Sequence, residues 1–204
     1  MNSCPNPIVL ASQSPRRAAL LRQLGIPFDV IHNEVDETLP PGTDPREAVV
    51  RLAKAKAESV AAHLKRGLVI GADTVVVHQG HILGKPHDAA DAVQMLRRLS
   101  GDTHQVYTGF SLVQVGQGSV EDVEVTAVTF RDLSDWEIED YVATGAPLDK
   151  AGAYGIQERA SIFVSAIEGD YANVVGFPLT RFVLAWRRLC GDEVVRAYLA
   201  GRTS

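Results

Sequence analysis

The sequence has few cysteines and no long apolar segment. Its two cysteines, Cys4 and Cys190, lie near opposite ends of the 204 residues, without metal-binding spacing. Two such residues do not form a disulfide framework, which favours a reducing compartment. No run of roughly 18 consecutive apolar residues occurs, and the N-terminus lacks the basic segment of a secretory signal. We therefore expect a soluble, cytoplasmic protein that binds no membrane.

The chain also lacks an excess of positive charge and any low-complexity run. With 20 Lys and Arg residues against 25 Asp and Glu, the formal net charge is −5, which argues against binding nucleic acid through a broad basic face. Hydrophobic residues at 46% and charged residues at 22% match ordinary globular proteins. Disordered and fibrous classes are therefore excluded. We expect a single domain over residues 1–204, in which a local cluster of cations would hold any phosphate ligand.

An apolar strand, Ile8 to Ala11, turns directly into a helix. Ser14 is a good N-cap residue, Pro15 suits the first helical position, and Gly25 is a typical terminating residue. The first turn of a helix presents unpaired N–H groups and the positive end of the helix dipole. This turn is therefore a candidate site for an anion such as phosphate.

Four side chains at this turn strengthen the prediction. The hydroxyls of Ser12 and Ser14 and the guanidiniums of Arg16 and Arg17 lie within one turn of the helix start. Helical spacing places Arg17 on the face of the leucines and Arg16 about 100° away. Arg17 should therefore point inward, toward a cleft. The alternative is a capped surface helix with solvated arginines.

A second helix of about 20 residues is predicted after a capping box that begins at Asp44. Lys56 falls on the apolar stripe of this helix, whereas Lys54 does not and should be solvated. Two interpretations of Lys56 remain open: its ammonium reaches water along the core surface, or it points at a ligand. The stripe consists of Val49, Leu52, Ala53 and Val60.

The segment Leu68 to Val77 predicts a central, buried strand because it is apolar on both faces. Asp73 interrupts it, and a carboxylate in such a strand costs several kcal/mol unless it is paired or bound to metal. We favour a functional role for Asp73 over a purely structural hydrogen bond. Gly71 and Ala72 are expected to leave room for a ligand, and Thr74 points to the opposite face of the strand.

Three later features bear on function. Lys85 stands between a glycine and a proline, an extended setting that restricts where its ammonium lies. His104 has no nearby nucleophile or second ligand in the sequence, and we interpret it as structural. The glycine-punctuated loop from Leu148 to Gln157 either faces a ligand or simply connects two elements.

The order of elements predicts the fold class. Two alternating runs, His104 to Val115 and Glu121 to Phe130, are joined by a glycine-rich turn and form an antiparallel hairpin. A further strand is expected from Ser161 to Ile167, followed by helices from Pro178 to Leu189 and from Asp192 to Leu199. Strands and helices mixed in this way predict an α/β fold with a mixed sheet.

Six short motifs follow one another over about residues 7 to 190. They are Ser12-Gln-Ser-Pro-Arg-Arg17, Gly71-Ala-Asp-Thr-Val-Val76, Gly84-Lys-Pro86, Ser100-Gly-Asp-Thr-His104, Ala151-Gly-Ala-Tyr-Gly-Ile-Gln157 and Gly169-Asp-Tyr-Ala-Asn-Val-Val-Gly176. Their order and intervals resemble those of the Maf proteins. The resemblance implies an elongated mixed-sheet fold like that of the inosine triphosphatase group, with two lobes around a central cleft. It also implies hydrolysis of a nucleoside triphosphate between its α and β phosphorus atoms with a divalent metal.

The resemblance also implies roles for individual residues. It assigns the catalytic and metal-binding carboxylates to Asp73 and Glu37, and the catalytic cations to Lys56 and Lys85. The phosphate loop corresponds to Ser12, Ser14, Arg16 and Arg17. Residues that specify the pyrimidine nucleotides dTTP and UTP in one branch correspond to Arg17, Thr74 and Gln157. The sequence departs from the family where a glycine commonly follows the glutamine, because Glu158-Arg159 stands there.

The implied chemistry is consistent with the residues themselves. Asp73 and Glu37 supply hard oxygen ligands suited to Mg²⁺ or Mn²⁺, and the cations offset the charge of a triphosphate. Whether Asp73 orients water directly or through the metal stays open. The alternatives are the same reaction on purine or methylated nucleotides, and a nucleotide-binding regulator of cell division or septum formation. The resemblance further suggests a homodimer acting in nucleotide-pool house-cleaning.

Overall fold

The computed structural model describes residues 6–32, 35–40 and 42–201, so Cys4 lies outside the described residues. Its strands are β1 Ile8–Ala11, β2 Asp29–Ile31, β3 Leu68–His78, β4 His81–Leu83, β5 Thr103–Gln114, β6 Gly118–Phe130 and β7 Val164–Glu168. Its α-helices are α1 Pro15–Arg22, α2 Pro45–Ala61, α3 Ala89–Leu99, α4 Asp135–Ala143, α5 Tyr171–Val175, α6 Leu179–Cys190 and α7 Asp192–Leu199. Short 3₁₀ helices cover Ala146–Asp149, Ala151–Ala153 and Arg159–Phe163.

The strands form one mixed sheet. Within the described residues it has seven strands, in the order β2-β1-β3-β5-β6-β7, with β4 paired to β3. Strand β1 runs parallel to both β2 and β3, whereas β4 is antiparallel to β3 and β7 is antiparallel to β6. The prediction of an α/β fold with a mixed sheet is confirmed.

The chain divides into two compact units. Unit 1 contains the described residues up to Asp73, the segment Thr108–Glu124 and the residues from Gly176 onward. Unit 2 contains Thr74–Tyr107 and Val125–Val175. Three of the four boundaries fall inside strands β3, β5 and β6, so each of these strands contributes to both units, and the fourth directly follows helix α5. The single domain over residues 1–204 and the central cleft stay predictions.

Helix α2 lies directly against the sheet of unit 1, because two strands carry glycine where it passes. A Cβ at Gly71 would come within 2.1 Å of the Ala53 carbonyl oxygen, and one at Gly109 within 2.6 Å of the Val49 carbonyl carbon. The prediction that Gly71 leaves room for a ligand is therefore wrong, since helix backbone fills that space. An apolar cluster in the same unit consists of Val9, Ala11, Ala57, Val60 and Val69.

The extents of three predicted elements also differ from the structure. Helix α1 ends at Arg22, because the next three N–H groups bond to carbonyls three residues back and form tight turns that end at Gly25. The strand expected from Ser161 begins only at Val164, since the Ser161 N–H bonds to the Glu158 carbonyl in a 3₁₀ helix. Helix α2 has 17 residues rather than about 20.

Unit 2 has an aromatic core around His104. The imidazole is buried, with Nε2 2.7 Å from the Tyr154 hydroxyl oxygen and the ring edge-on to Phe130. Burial, the largest cause, lowers the pKa of His104 from 6.5 to about 4, so the ring is neutral at pH 7. The structural interpretation of His104 agrees with these contacts.

Candidate functional site

A buried ammonium lies at the centre of the charged groups in unit 1. Lys56 is only 7% exposed, and its Nζ lies 2.6 Å from Asp73 Oδ1 and 2.6 Å from Glu37 Oε1. Charge-assisted bonds of this length are strong and hold both carboxylates in place. Of the two interpretations of Lys56, the one in which its ammonium reaches water is wrong.

The position of Asp73 follows from the seating of helix α2. Residues two apart on a strand face the same side, so Asp73 faces the helix as Gly71 does. Helix α2 approaches closely at Gly71, and Lys56 stands one turn beyond Ala53 on the buried face of the helix. The lysine therefore meets the carboxylate inside the unit, and their pairing offsets the cost of burying Asp73.

Glu37 reaches the same ammonium from the segment 35–40. Its side chain is half-exposed, in contrast to the buried Asp73. The segment is held by Asp36, whose carboxylate accepts the Thr38 N–H at 2.9 Å, and by Arg51 of α2, which donates to the Thr38 carbonyl at 3.2 Å. The site thus combines an inner carboxylate with an outer one that faces solvent.

The turn between β1 and α1 brings Arg17 to this site. Ser14 caps the helix by accepting the Arg17 N–H at 3.4 Å, and the Ser12 hydroxyl accepts the Ser14 N–H at 3.1 Å. The guanidinium donates from Nε to the Gly176 carbonyl at 2.9 Å and from Nη1 to Ser12 Oγ at 3.4 Å. These two bonds show the inward direction predicted for Arg17. Both Arg16 and Arg17 are half-buried.

Burial and neighbouring charges shift the pKa of Arg17. Burial is the largest cause and lowers this pKa from its ordinary value, and the neighbouring Arg16 lowers it further. The carboxylates of Asp73 and Glu37 raise it. An arginine stays charged in proteins, so a cation faces the two carboxylates across the site.

The site lies at one edge of the parallel strands. Strands β1 and β3 pair in register up to Ala11 and Gly71. Ser12 directly follows the first of these residues, and Asp73 lies two positions beyond the second. Ligands of α/β proteins bind outside the carboxyl ends of parallel strands. The charged groups of unit 1 therefore occupy the edge where a ligand is expected.

Three of the predicted site residues belong to unit 2. Thr74 is half-buried, whereas Lys85 and Gln157 are exposed. The Gly84 carbonyl accepts the Gly152 N–H at 3.0 Å, which ties the segment before Lys85 to the loop that leads to Gln157. The other seven predicted residues, Ser12, Ser14, Arg16, Arg17, Glu37, Lys56 and Asp73, belong to unit 1.

The comparison with known proteins identifies the family. The model of the family described as Maf-like protein matches residues 7–189. The chain belongs to the Maf-like protein family. The resemblance inferred from the six motifs is thereby confirmed.

Two relatives of this Maf-like chain share one name, and a solved structure matches it at low identity. It is 53% identical over 192 residues to a dTTP/UTP pyrophosphatase of Salinibacter ruber, covering 93% of each chain. It is 54% identical over 175 residues to a protein of the same name from Moorella thermoacetica, covering 85% of this chain and 90% of that protein. The Ham1 protein of Staphylococcus aureus matches 76% of this chain and 90% of its own at 18% identity, with a TM-score of 0.46.

Two contributors to the Maf-like structure were not predicted from the sequence. Gly176 accepts the Arg17 guanidinium through its backbone; it ends a recognised motif, but no side-chain property points to this contact. Lys150 is buried beside the loop before Gln157. The small residues Ala-Gly-Ala that follow this lysine are a signal for its burial, whereas its partners depend on how the loop folds.

The donor atoms fit a divalent cation shared with a substrate. In the part of the chain that the structure describes, no three His, Cys, Asp or Glu side chains cluster as a complete metal cage. Asp73 Oδ1 and Glu37 Oε1 each lie 2.6 Å from the Lys56 Nζ. The two carboxylates are therefore close to each other. One or two carboxylates completed by phosphate oxygens and water are the usual protein setting of Mg²⁺.

No helix among residues 6–32, 35–40 and 42–201 combines the length and the apolar character that a membrane span requires.

Proposed function

We propose that this protein is a nucleoside triphosphate pyrophosphatase. It hydrolyses the phosphoanhydride bond between the α and β phosphorus atoms of dTTP and UTP, and releases the nucleoside monophosphate and pyrophosphate. Relatives about half identical over most of the chain carry the name dTTP/UTP pyrophosphatase, which supports both the reaction and the pyrimidine preference. Water is the second reactant: its oxygen joins one phosphorus atom as the bridging bond breaks.

The observation that carries the proposal is the buried Lys56 held between Asp73 and Glu37, with Arg17 nearby. A triphosphate brings about four negative charges, so hydrolysis requires cations that neutralise them and a group that orients water. Lys56 and Arg17 supply positive charge, while Asp73 supplies a carboxylate with few solvent contacts. Such an acid is suited to hold a proton of the attacking water.

Asp73 and Glu37 are also the residues that would hold Mg²⁺ or Mn²⁺. When bound, the cation would neutralise phosphate charge and lower the pKa of a bound water. Lys56 restricts the orientation of both carboxylates before any ligand arrives. This preorganisation lowers the cost of assembling the site.

The remaining site residues are proposed to bind substrate. The Ser12 and Ser14 hydroxyls, together with Arg16, lie at the N-terminal turn of α1, where phosphate oxygens are favoured. Lys85 is proposed to contribute a further catalytic cation. Thr74 and Gln157, with Arg17, are proposed to select the pyrimidine; a side-chain amide offers one donor and one acceptor group to the edge of uracil or thymine.

We also propose that the protein acts as a cytoplasmic homodimer that clears nucleotides from the pool, with no nucleic acid or membrane partner. The net charge of −5 supports the absence of a nucleic-acid partner. The oligomeric state is tested by light scattering of the purified protein across a concentration series.

The reaction is tested with a panel of nucleoside triphosphates in the presence of Mg²⁺ or Mn²⁺. Pyrophosphate and orthophosphate are detected separately, and kcat/KM is measured for each nucleotide. We expect pyrophosphate and a monophosphate as first products, higher kcat/KM for UTP and dTTP than for GTP or ATP, and no turnover after chelation. Orthophosphate and a diphosphate as first products would exclude cleavage between the α and β phosphorus atoms.

A further inference from the structure

A second buried lysine lies in unit 2, beside the loop that carries Gln157. Lys150 is 6% exposed, and its Nζ donates to the Ala146 carbonyl at 2.6 Å and to Asp149 Oδ1 at 2.7 Å. The same ammonium lies 3.2 Å from Glu158 Oε1. These partners come from both ends of one short segment, residues 146–158.

Gln157 is presented by a tight turn within this segment. The Glu158 N–H donates to the Gly155 carbonyl at 3.1 Å, so the turn has four residues and Gln157 is the third. The Gly155 N–H in turn donates to the buried Tyr141 hydroxyl at 3.2 Å. The side chain of Gln157 is exposed at the tip, whereas Ile156 beside it is buried.

Lys150 contacts both the first and the last residue of this turn. A Cβ at Gly155 would come within 2.6 Å of Lys150 Cε and 2.9 Å of Cδ, so the lysine stem passes directly over the glycine. At the other end its ammonium pairs with the Glu158 carboxylate. Lys150 thus contacts the turn at Gly155 and at Glu158. The backbone dihedral angles φ and ψ of Gln157, which lies between these two residues, are restricted as a result.

We propose that Lys150 and Glu158 are positioning residues for base selection: their ion pair fixes the turn that presents Gln157 to the pyrimidine. This inference rests on the proposed function. It also gives a role to Glu158, which stands where the family resemblance led us to expect glycine. A glycine at that position would leave the last residue of the turn without the contact to Lys150.

The variant Glu158→Ala tests the proposal, because Glu158 is exposed and its loss leaves no buried group unpaired. We expect the ratio of kcat/KM for UTP to that for GTP to fall about fivefold, the effect of weakening roughly one hydrogen bond. The change should appear in KM for UTP and leave kcat nearly unaltered, because base contacts act in both ground and transition state. Thermal unfolding of the variant is recorded to verify that it folds.

Two comparisons separate positioning from a general effect of charge. Glu193→Ala removes the same charge from an exposed site in α7 and should leave the UTP to GTP ratio unchanged. In a Gln157→Ala background, Glu158→Ala should have no further effect on the ratio, because it acts through Gln157. An unchanged ratio in Glu158→Ala, or an equal loss with and without Gln157, would overturn the inference.

Calorimetric titration with UMP and GMP keeps this test separate from catalysis. We expect the wild type to bind UMP more tightly than GMP, and Glu158→Ala to lose about fivefold of that difference. If the wild type hydrolyses no nucleotide but shows this binding pattern, the proposed reaction fails and the positioning role stands. If turnover and UTP preference are present but Glu158→Ala equals the wild type in both assays, only the positioning role fails.

Discussion

Two lysines are buried among the residues that the structure describes, one in each compact unit, and each meets two carboxylates. The partners of Lys56 come from separate elements, since Asp73 lies 17 residues away on β3 and Glu37 on the segment 35–40. The partners of Lys150 all lie within residues 146–158. The first lysine therefore joins elements that packing brings together, whereas the second holds the shape of one loop.

The carboxylates around the two lysines also differ in exposure. The Asp73 side chain is 11% exposed, whereas those of Asp149 and Glu158 are 63% and 39% exposed. An exposed carboxylate that loses its partner regains water, but a buried one cannot. Removal of Lys56 should therefore cost more than removal of Lys150, although both ammoniums are equally buried.

The largest effect is expected for Lys56→Met. The substitution keeps the length of the side chain but leaves the Asp73 carboxylate buried beside Glu37 without the ammonium. We expect the free energy of unfolding to fall by about 3 kcal/mol, near the lower end for breaking a buried pair because Glu37 is half-exposed. The measurement is urea denaturation at pH 7.

Lys54→Met is the matched control, two residues away on the same helix. Its ammonium is half-exposed and lies 3.4 Å from a Glu121 oxygen, and surface pairs of this kind contribute about 0–1 kcal/mol. Equal losses for the two lysines would contradict the distinction between a buried centre and a surface pair.

The next effect concerns catalysis rather than folding. Asp73→Asn keeps the volume and an oxygen that can accept from Lys56 but removes the negative charge. We expect kcat to fall at least about 10²-fold, the lower range for loss of an acid–base group, while the protein still folds. Near-normal turnover would exclude a catalytic role for Asp73, and loss of folding would instead favour a structural one.

A smaller effect is expected for Lys150→Met. Asp149 and Glu158 regain water, so the main cost is the Ala146 carbonyl left without its donor, about 1–2 kcal/mol of unfolding free energy. Because the change is confined to a loop, kcat for UTP should stay within about twofold of the wild type while KM rises. A loss of stability as large as that of Lys56→Met would contradict the comparison.

The smallest effect concerns His104, a buried polar group without a carboxylate partner at hydrogen-bonding distance among the described residues. Burial lowers the pKa of His104 from 6.5 to about 4. At pH values between these two, the unfolded chain therefore binds more protons than the folded one. Stability therefore decreases as pH falls from 6.5 toward 4, by about 1 kcal/mol between about pH 7 and about pH 5.5. His104→Phe should show a flatter dependence in urea denaturation across this range; an unaltered slope would assign it to other groups.

Most helices and strands could be predicted from local patterns. The caps at Ser14 and Asp44 accept N–H groups of the following turn as expected, because a capping side chain contacts residues only two or three positions away. The predictions that failed depend on distant backbone. Gly71 suggested space for a ligand, and only packing shows that helix α2 fills it.

The candidate site could be predicted in its residue types but not in its contacts. An acid in an apolar strand and a lysine on an apolar helical stripe single out Asp73 and Lys56, because burying a charge is costly. Glu37 followed only from the family resemblance, since nothing in its own segment indicates that it reaches Lys56. The catalytic and substrate-binding roles assigned to these residues stay predictions.

The sequence by itself determined where helices begin, which strands are buried and which charged residues lie among apolar neighbours. These properties depend on periodicity and on side chains a few positions apart. Only the tertiary structure decided which carboxylates meet Lys56 and how Lys150 contacts both ends of the turn from Gly155 to Glu158. Such contacts require donor and acceptor atoms to lie about 3 Å apart. That placement depends on the packing of whole elements, as in the seating of α2 on Gly71 and Gly109.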